Sequence, residues 1–486
     1  MTDTAPRPSF RLRSSEHRIL LLLGDLIASL ASDFAAIYIW RFYLYHKLLS
    51  EHINIRPERA WELVTLSVKV PLWFYLLPLG WLLLMVELYD PHVAASWRRT
   101  LRGIEIAAMI GIVIYSLIFI ITSTDTTSLP RIGFGAYLVL ASFLTLGWRA
   151  LYIRLYTAPG LMRQVLVIGA GKAGPTLAQT FNKLKPPPFN LIGFIDDDPH
   201  KSKHTIAGFP VIASSRRLLQ MVEDHHVSDI VIAITGEIRG ETFQAILDAQ
   251  ERGVEVSRMP ILYEEMAGRV PVHHLEADWM IRSFTDEMRV SGFYELVKRF
   301  MDVLGGGTGL LLFAISFPFI VIATLMDSGL PIFYAQTRLG QGGRIFKIYK
   351  YRTMRQDAEA DGEAKLALKN DPRVTRVGNF LRQTRLDELP QFWNVLKGEM
   401  GLVGPRAERP ELVAEFQKQI PFYRARLLVK PGLTGWAQIN YGYVANVTET
   451  VVKLEYDLYY IKHRSLLMDI MIVLRTIGTV LSRKGR

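Results

Sequence analysis

"RQVLVIGAGKAGPTLAQTF", residues 163–181, has the pattern of a buried strand, a glycine-rich turn and the start of a helix. The turn places Gly169, Gly171 and Gly174 in the GxGxxG spacing of dinucleotide-binding folds. A second apolar strand, "NLIGFIDDD", ends in aspartates where such folds hold a ribose, and "SDIVIAIT" and "GVEVSRM" supply later strands. The stretch therefore predicts a cytosolic Rossmann-like α/β domain over residues 162–290. Its glycines form a possible dinucleotide loop, or they serve only the close packing of helix on strand.

Four long apolar runs precede this domain. The first begins "ILLLLGDLIASLASDFAAIYIW", and the others lie near residues 70–89, 104–122 and 132–153. Each is close to the roughly 20 residues that span a bilayer. We therefore predict a basic cytosolic tail over residues 1–18 and a bundle of four transmembrane helices over residues 19–157. An even number of spans returns the chain to its starting side, and we expect that side to be the cytosol.

The composition fits soluble domains joined to membrane segments. The chain has 486 residues, of which 50% are hydrophobic and 21% charged, so it is long enough for several domains. Its net charge of +11 favours anionic partners such as phospholipid surfaces, nucleotides and phosphates. The absence of cysteine excludes a disulfide framework, a thiolate metal site and a cysteine nucleophile.

A further uncharged segment, "VLGGGTGLLLFAISFPFIVIATLM" (303–326), is long enough to cross the membrane once more. A fifth span would place the basic region that follows it on the opposite side from the Rossmann-like domain. Ser316 and Pro318 lie in the middle, where proline removes a helix hydrogen bond that a serine hydroxyl can partly replace. We therefore predict a re-entrant helix-break-helix hairpin over about residues 300–327. A kinked ordinary span is the alternative.

Beyond this segment an aspartate and a glutamate, Asp387 and Glu388, are adjacent within "RQTRLDELPQFWNVLKGEMGLVGPR". Basic residues that could hold a substrate phosphate or nucleotide lie before and after the pair: Lys350, Arg352, Arg382, Arg385 and Arg406. The ordinary interpretation is that Asp387 is the N-cap of a helix over residues 388–397. The same geometry would hold a carboxylate at the positive end of a helix, where its pKa falls and a phosphate is also bound. Capping and catalysis are thus compatible.

These motifs, with "FKIYKYRTM" and "KPGLTGWAQINYG", resemble the monotopic phosphoglycosyl transferases. Members of that family are bacterial enzymes that move a sugar 1-phosphate from a nucleotide sugar to a polyprenyl phosphate. The similarity covers residues 292–486 and implies a mainly α-helical catalytic domain containing the re-entrant hairpin. With four membrane helices and a Rossmann-like domain in front, the chain resembles the large members that initiate exopolysaccharide or O-antigen synthesis.

The resemblance implies a role for each matching residue. Asp387 matches the nucleophile, which would attack a UDP-sugar, release UMP and form a phosphosugar-aspartyl intermediate. Glu388 matches its partner, which serves in positioning, in metal support or in activating the lipid phosphate. Mg²⁺ is the implied cofactor, with both carboxylates as its ligands. Arg382 and Arg406 match phosphate and nucleotide binders.

Lys350 and Arg352 match a basic pair that lies beside the site in the family. Ser316 and Pro318 match the family's hairpin break, although Phe317 separates them here. The implied acceptor is undecaprenyl phosphate, which would become an undecaprenyl-diphosphate sugar.

The resemblance also implies a place in the cell and a set of partners. We expect a multi-pass protein of the bacterial inner membrane, in contact with membrane lipid, with its catalytic domain on the cytosolic face and no nucleic acid bound. Glucose or galactose is preferred over an N-acetylhexosamine as the sugar. The N-terminal helices and the Rossmann-like domain have no evident chemistry, so we expect them to support dimerisation or regulation. The alternatives are a membrane-tethered NAD-dependent oxidoreductase and a non-enzymatic scaffold for polysaccharide assembly.

Overall fold

A computed structural model describes most of the chain in two units, residues 1–257 and 258–486. The described residues are 14–51, 56–67, 70–89, 91–94, 96–121, 131–156, 162–202, 204–275, 291–355, 371–442 and 446–481. The boundary falls after Ser257, so residues 258–275, which the sequence grouped with the Rossmann-like domain, belong to the second unit.

The first unit starts with helices whose long apolar members match the predicted membrane runs. They are α1 (Ser14–Glu51), α2 (Pro57–Ser67), α3 (Leu77–Leu84), α4 (Pro91–Ala94), α5 (Trp97–Ile121) and α6 (Arg131–Tyr156). In the described part of the chain, three helical stretches are long and apolar enough to cross a membrane: 16–51, 131–155 and 292–328. A membrane protein is therefore supported, while a bundle of four transmembrane helices is not confirmed.

The second predicted span, near residues 70–89, is wrong as a continuous helix. It consists of a 3-10 turn, the short helix α3 and a second 3-10 turn, Val86–Tyr89. Arg149 of α6 explains part of the break, because its Nη1 donates to the carbonyl of Leu88 at 2.7 Å. The same buried guanidinium pairs with Asp25 of α1, Nη2 to Oδ2, at 2.6 Å. A charged donor thus satisfies irregular backbone where water is scarce.

The Rossmann-like prediction is confirmed by a mostly parallel sheet. Its strands are β1 (Gln164–Ile168), β2 (Asn190–Ile195), β3 (Thr205–Ile206), β4 (Phe209–Ala213), β5 (Asp229–Ile232) and β6 (Glu255–Arg258), in the order β3-β4-β2-β1-β5-β6. The helices between them are α7 (Ala173–Asn182), α8 (Leu218–Asp224) and α9 (Gly240–Glu251). β1 pairs in parallel with both β2 and β5. A Cβ at Gly174 would lie 2.4 Å from the carbonyl oxygen of Gly169, so close packing alone requires glycine there.

The second unit is mainly helical, as predicted. Its helices are α10 (Met259–Ala267), α11 (Gly292–Ser328), α12 (Arg376–Thr384), α13 (Phe392–Lys397), α14 (Pro410–Gln419), α15 (Trp436–Asn440), α16 (Val447–His463) and α17 (Leu466–Leu481). The antiparallel hairpin β7 (Phe333–Leu339) and β8 (Ile345–Tyr351) follows α11, and β9 (Gly401–Val403) pairs in parallel with β10 (Gly432–Thr434). The main buried core lies around α16, where Leu454, Leu458 and Ile461 are at most 1% exposed.

The uncharged segment forms one helix, α11, rather than the predicted helix, break and helix. Pro318 lies inside it. Ser316 Oγ donates to the carbonyl oxygens of Leu312 and Phe313 at 2.8 and 3.2 Å, and so adds hydrogen bonds in the turn that precedes the proline. The proline therefore does not divide the segment into two helices, and a re-entrant hairpin is not confirmed.

Candidate active site

Asp387 and Glu388 lie in a 3-10 helix, Leu386–Gln391, between α12 and α13. Arg385 precedes it with φ of 55°, a left-handed conformation that turns the chain sharply after α12. The prediction that Asp387 is the N-cap of a helix over 388–397 is therefore wrong, because Asp387 lies inside the first turn. Pro390 is tolerated here because the chain uses i→i+3 hydrogen bonds, such as the Glu388 amide to the Arg385 carbonyl at 3.2 Å.

Glu388 is surrounded by three cations. Lys350 Nζ, on β8, lies 3.0 Å from its Oε1 and Arg406 Nη2 lies 3.2 Å from the same oxygen. Arg385 Nη1 is 3.8 Å from Oε2. Burial works to raise the pKa of Glu388, but the charges of Lys350 and Arg406 outweigh it and hold that pKa well below its usual range. Glu388 is thus a permanently charged anchor for basic residues.

Asp387 has the opposite environment. It is 8% exposed, and within the described residues its carboxylate makes no hydrogen bond or ion pair. Burial, and then the negative charge of Glu388, raises the pKa of Asp387 to about 6, against the attraction of Lys350, Arg382 and Arg406. The site therefore contains a buried carboxylate to which none of the described residues is bonded, with cations close by.

The structure brings most of the predicted phosphate binders to this pair. Arg382, in the last turn of α12, donates from Nε to Thr353 Oγ1 at 2.8 Å and acts electrostatically on Asp387. Burial lowers the pKa of Lys350, although Glu388 opposes this effect. Glu388 raises the pKa of Arg406. These three cations and Arg385 therefore form one basic cluster around the two carboxylates.

Arg352 is the exception, and its placement corrects the prediction. β8 ends at Tyr351, and the buried guanidinium of Arg352 faces the end of α11 instead of the carboxylates. Its Nη2 donates to the carbonyl oxygens of Ser328 and Gly329 at 2.7 and 2.5 Å, and Nη1 donates to that of Leu330 at 2.9 Å. A cation that satisfies helix-end carbonyls in this way is a C-terminal cap.

Only a limited magnesium site fits these residues. In the part of the chain that the structure describes, no group of three or more His, Asp and Glu residues could hold a metal ion. Mg²⁺ is, however, often held by one or two carboxylates together with substrate phosphates. Asp387, which bonds to no other described residue, fits that mode, whereas Glu388 is already bonded to Lys350 and Arg406.

Comparison with known proteins gives the family. Residues 293–483 match the family described as bacterial sugar transferase, and residues 85–257 match a CoA-binding domain. A galactosyl transferase of Streptococcus agalactiae is 32% identical over 388 residues, which cover 76% of this chain and 84% of that protein.

The chain belongs to the bacterial sugar transferase family.

Two further relatives cover less of this sugar transferase. An N-acetylgalactosaminephosphotransferase of Aeromonas hydrophila, which its name links to undecaprenyl phosphate, is 41% identical over 232 residues, 48% of this chain and 53% of its own. A UDP-glucose:undecaprenyl-phosphate glucose-1-phosphate transferase of Xanthomonas campestris is 32% identical over 57% of this chain and 58% of its own. The chain thus spans only about half the length of these two relatives. A solved UDP-D-quinovosamine 4-dehydrogenase from Vibrio fischeri aligns to 24% of the chain and 98% of its own, with 28% identity and a TM-score of 0.20.

In this sugar transferase the acidic end of β2 is bonded to its own domain. Asp196 Oδ2 accepts from the amide of Ala170, in the glycine loop, at 2.7 Å. Asp197 accepts from the amide and the hydroxyl of Ser215 at 2.7 and 2.9 Å. These bonds favour a packing role for Gly169 and its neighbours, and nucleotide binding by the loop stays a prediction.

Sequence reasoning missed a buried charged cluster behind Arg406. Glu408 is within 4 Å of Lys453, Arg426 and Arg338, and Arg426 also pairs with Asp457 at 2.8 Å. One signal was available: Lys453 and Asp457 are charged residues one turn apart on α16, whose neighbouring positions are apolar.

Proposed function

We propose that this chain transfers a sugar 1-phosphate from a UDP-sugar to undecaprenyl phosphate, with Asp387 as the nucleophile. The observation that carries the proposal is the contrast between the two carboxylates. Glu388 is bonded to cations, whereas Asp387 is buried beside the same cations and bonds to no other residue in the described part of the chain. Burying an unpaired carboxylate costs free energy, which a role in the reaction explains. The named activities of the relatives support this substrate class.

The reaction proceeds in two displacements at one phosphorus atom. First, an Asp387 oxygen attacks the sugar-bearing phosphorus of the UDP-sugar. The bond from this phosphorus to the bridging oxygen breaks, UMP leaves with that electron pair, and a phosphosugar-aspartyl intermediate, an acyl phosphate, remains. In the second step a phosphate oxygen of undecaprenyl phosphate attacks the same phosphorus and breaks its bond to Asp387. The products are an undecaprenyl-diphosphate sugar and UMP, and the carboxylate is regenerated.

The basic cluster makes an anionic nucleophile compatible with an anionic substrate. Lys350, Arg382 and Arg406 offset the repulsion between Asp387 and the diphosphate, and they are fixed before the substrate arrives. Glu388 holds Lys350 and Arg406 in place. A magnesium ion held by Asp387 and the diphosphate would neutralise further charge on the phosphates.

The long helix α11 supports a membrane-surface location for this chemistry. Near its start, Lys298 Nζ donates to Asp469 of α17 at 2.8 Å. At its end, Asp327 accepts from the Val377 amide at 3.0 Å, and Arg352 caps the last carbonyls. We infer that α11 enters and leaves the inner membrane by the cytosolic face, as a re-entrant segment bent at Pro318, while the first unit supplies the membrane spans. A polyprenyl phosphate would then reach Asp387 without leaving the bilayer.

Names of relatives include N-acetylgalactosamine, galactose and glucose donors. Glucose or galactose remains our preference, and a homodimer our expectation for the assembly.

Release of UMP by purified protein tests the proposal. The assay uses a panel of UDP-sugars with Mg²⁺, with and without undecaprenyl phosphate, and compares wild type with Asp387→Asn. We expect sustained release only with the lipid, and none from the variant. Asp229→Asn, at a buried aspartate of the Rossmann-like sheet, is the matched control and should retain turnover.

Other results would point elsewhere. Turnover that is unchanged in Asp387→Asn would exclude this residue as the nucleophile. No release from any sugar by folded wild-type protein would favour a scaffold, and a nicotinamide-linked absorbance change would favour an oxidoreductase.

A further inference from the structure

The segment that presents Arg406 is fixed through four consecutive carbonyls. Two of the donors are main-chain amides, and two are arginine side chains from other elements. The bonds, donor first, are Gly432 N to Pro405 O (2.9 Å), Arg426 Nη2 to Arg406 O (3.1 Å), Arg338 Nη1 to Ala407 O (2.9 Å) and Leu339 N to Glu408 O (3.0 Å). A main chain bonded at every carbonyl has little freedom to shift, so the origin of the Arg406 side chain is set by its neighbours.

Arg426 does more in this arrangement than form an ion pair. It lies in the 3-10 turn Tyr423–Leu428 and is 4% exposed. Its Nη2 donates to Asp457 Oδ2 at 2.8 Å, and its Nη1 donates to the Tyr423 hydroxyl at 2.8 Å. The pair with Asp457 would already balance the buried charge. The additional bond of Nη2, to the carbonyl of Arg406, connects this buried pair to the active site.

Glu408 and Lys453 form the charged surroundings of Arg426 beside the segment 405–408. Glu408 Oε1 is 3.6 Å from Arg426 Nη1 and 2.6 Å from Lys453 Nζ. Burial works to raise the pKa of Glu408, but Lys453 and Arg426 outweigh it and lower that pKa to about 2. Glu408 is therefore ionised at any physiological pH. The cluster keeps its charge while the active site works.

We propose that Arg426 is a positioning residue for sugar-phosphate transfer, which acts by fixing the main chain of Arg406. The proposal rests on the transferase function proposed above. Arg406 reaches Glu388 with an Nη2-to-Oε1 distance of 3.2 Å, close to the upper end of a normal hydrogen bond. A displacement of about 1 Å would break that contact and misplace the cation that faces the substrate phosphate.

A double-mutant cycle tests whether Arg426 acts through Arg406. The variants are Arg426→Gln, Arg406→Lys and both together, and the readouts are kcat and KM for the UDP-sugar with UMP release. We expect Arg426→Gln alone to lower kcat/KM by about 10- to 100-fold, as loss of a supporting contact commonly does. In the Arg406→Lys background the same change should cost less than about 3-fold, because the residue it positions is already altered. Arg426→Lys should recover part of the loss.

The control breaks a different buried pair in the same unit. Glu264→Gln removes a partner of Lys462, which lies 3.0 Å away, and leaves the segment 405–408 untouched. It should lower the melting temperature while leaving kcat/KM unchanged below that temperature. If Arg426→Gln fails to fold, Arg426→Lys completes the cycle instead.

Each outcome decides one claim. Equal losses from the Arg426 change with and without Arg406 intact would overturn the positioning role while leaving the transferase function in place. Absence of UMP release from folded wild type would overturn the transferase function. In that case, the affinity for UDP would be measured by calorimetry on wild type and the same three variants. A smaller effect of Arg426→Gln in the Arg406→Lys background would then support the positioning role.

Discussion

At the scale of single residues, two neighbouring carboxylates are tuned in opposite directions. Asp387 is buried and beside a second negative charge, so its pKa is raised to about 6. Glu388 has two cations within 3.2 Å, so its pKa is lowered despite burial. Two adjacent acids whose pKa values are separated in this way can divide the work of nucleophile and anchor.

The first prediction is that the rate depends on ionisation of Asp387. Only the carboxylate form attacks phosphorus, so kcat/KM for the UDP-sugar should rise with pH and level off above about pH 6. Glu388 stays charged throughout this range because its pKa is low. UMP release measured from about pH 5 to about pH 8 in a constant-ionic-strength buffer checks this. A flat profile would contradict the assignment.

The second prediction concerns the stability of Asp387→Asn. The folded-state pKa of Asp387 lies above its unfolded value, so its contribution to stability is present at low pH and lost as pH rises through about 6. Asparagine does not ionise. The variant should therefore be more stable than wild type at about pH 8, by up to about 2 kcal/mol, with a smaller difference at about pH 4. Thermal melts at the two pH values, in the same detergent, measure this.

Glu388→Gln is the matched comparison and should have the opposite sign. The lowered pKa of Glu388 means that its contribution is present above the ordinary glutamate pKa and is lost only at much lower pH. The glutamine leaves Lys350 and Arg406 without their anion, so we expect a loss of about 3 kcal/mol at neutral pH. Melting temperatures that move in the same direction for both variants would refute the division of roles.

At the scale of elements, three glycines of α11 permit its contact with the catalytic elements. A Cβ added at Gly309 would lie 2.3 Å from ring atoms of Phe392, the first residue of α13. At Gly305 and Gly306 it would meet Leu402 and Leu396. At Gly307 nothing lies within 4 Å. The long helix therefore reaches the elements that carry the active site along one face only.

This difference gives the third prediction. Gly309→Ala should destabilise the protein by about 1–3 kcal/mol and lower UMP release, because Phe392 directly follows the 3-10 helix that holds Asp387. Gly307→Ala is the control, and it should be neutral or stabilise by up to about 1 kcal/mol through helix propensity. Melting curves and UMP release of the two variants, side by side, test the contact. Equal behaviour of the two would show that α11 does not pack on α13 in this way.

The elements also show what sequence could predict. The Rossmann-like sheet was predictable because the strand, the glycine turn and the helix follow one another within a single stretch. The break near Leu88 was not predictable, since it depends on Arg149, 61 positions away. Likewise, the spacing of Lys350 and Arg352 did not indicate that the strand ends between them. As a result only Lys350 of the two contacts Glu388, and Arg352 bonds to the carbonyl of Ser328. Local sequence patterns therefore predicted the fold, whereas the roles of charged residues depended on partners that are distant in the sequence.

At the scale of the whole molecule, the question is whether α11 crosses the membrane. Its 37 residues would extend about 55 Å if straight, more than enough to span. One face of its middle part nevertheless packs on other elements. Here Phe313 lies 5.8 Å from Tyr351 of β8 between ring centroids, and Ile320 is buried in the same cluster. Both ends and one face of the middle therefore contact other elements of the second unit, while Leu311, Ile315 and Phe319 on the rest of the helix are exposed.

The fourth prediction follows from this arrangement, and the cysteine-free chain makes it simple to test. Single cysteines would replace the exposed residues Glu223 in the Rossmann-like domain, Glu295 at the start of α11 and Arg344 beyond its end. If α11 is re-entrant, an impermeant maleimide should label all three in inside-out vesicles and none in right-side-out vesicles. If α11 spans, Glu295→Cys and Arg344→Cys must respond oppositely. In that case Arg344, together with the β7–β8 hairpin that carries Lys350, would lie across the membrane from Glu295, and the bonds of Tyr294 and Lys298, near the start of α11, to Asp469 of α17 could not form.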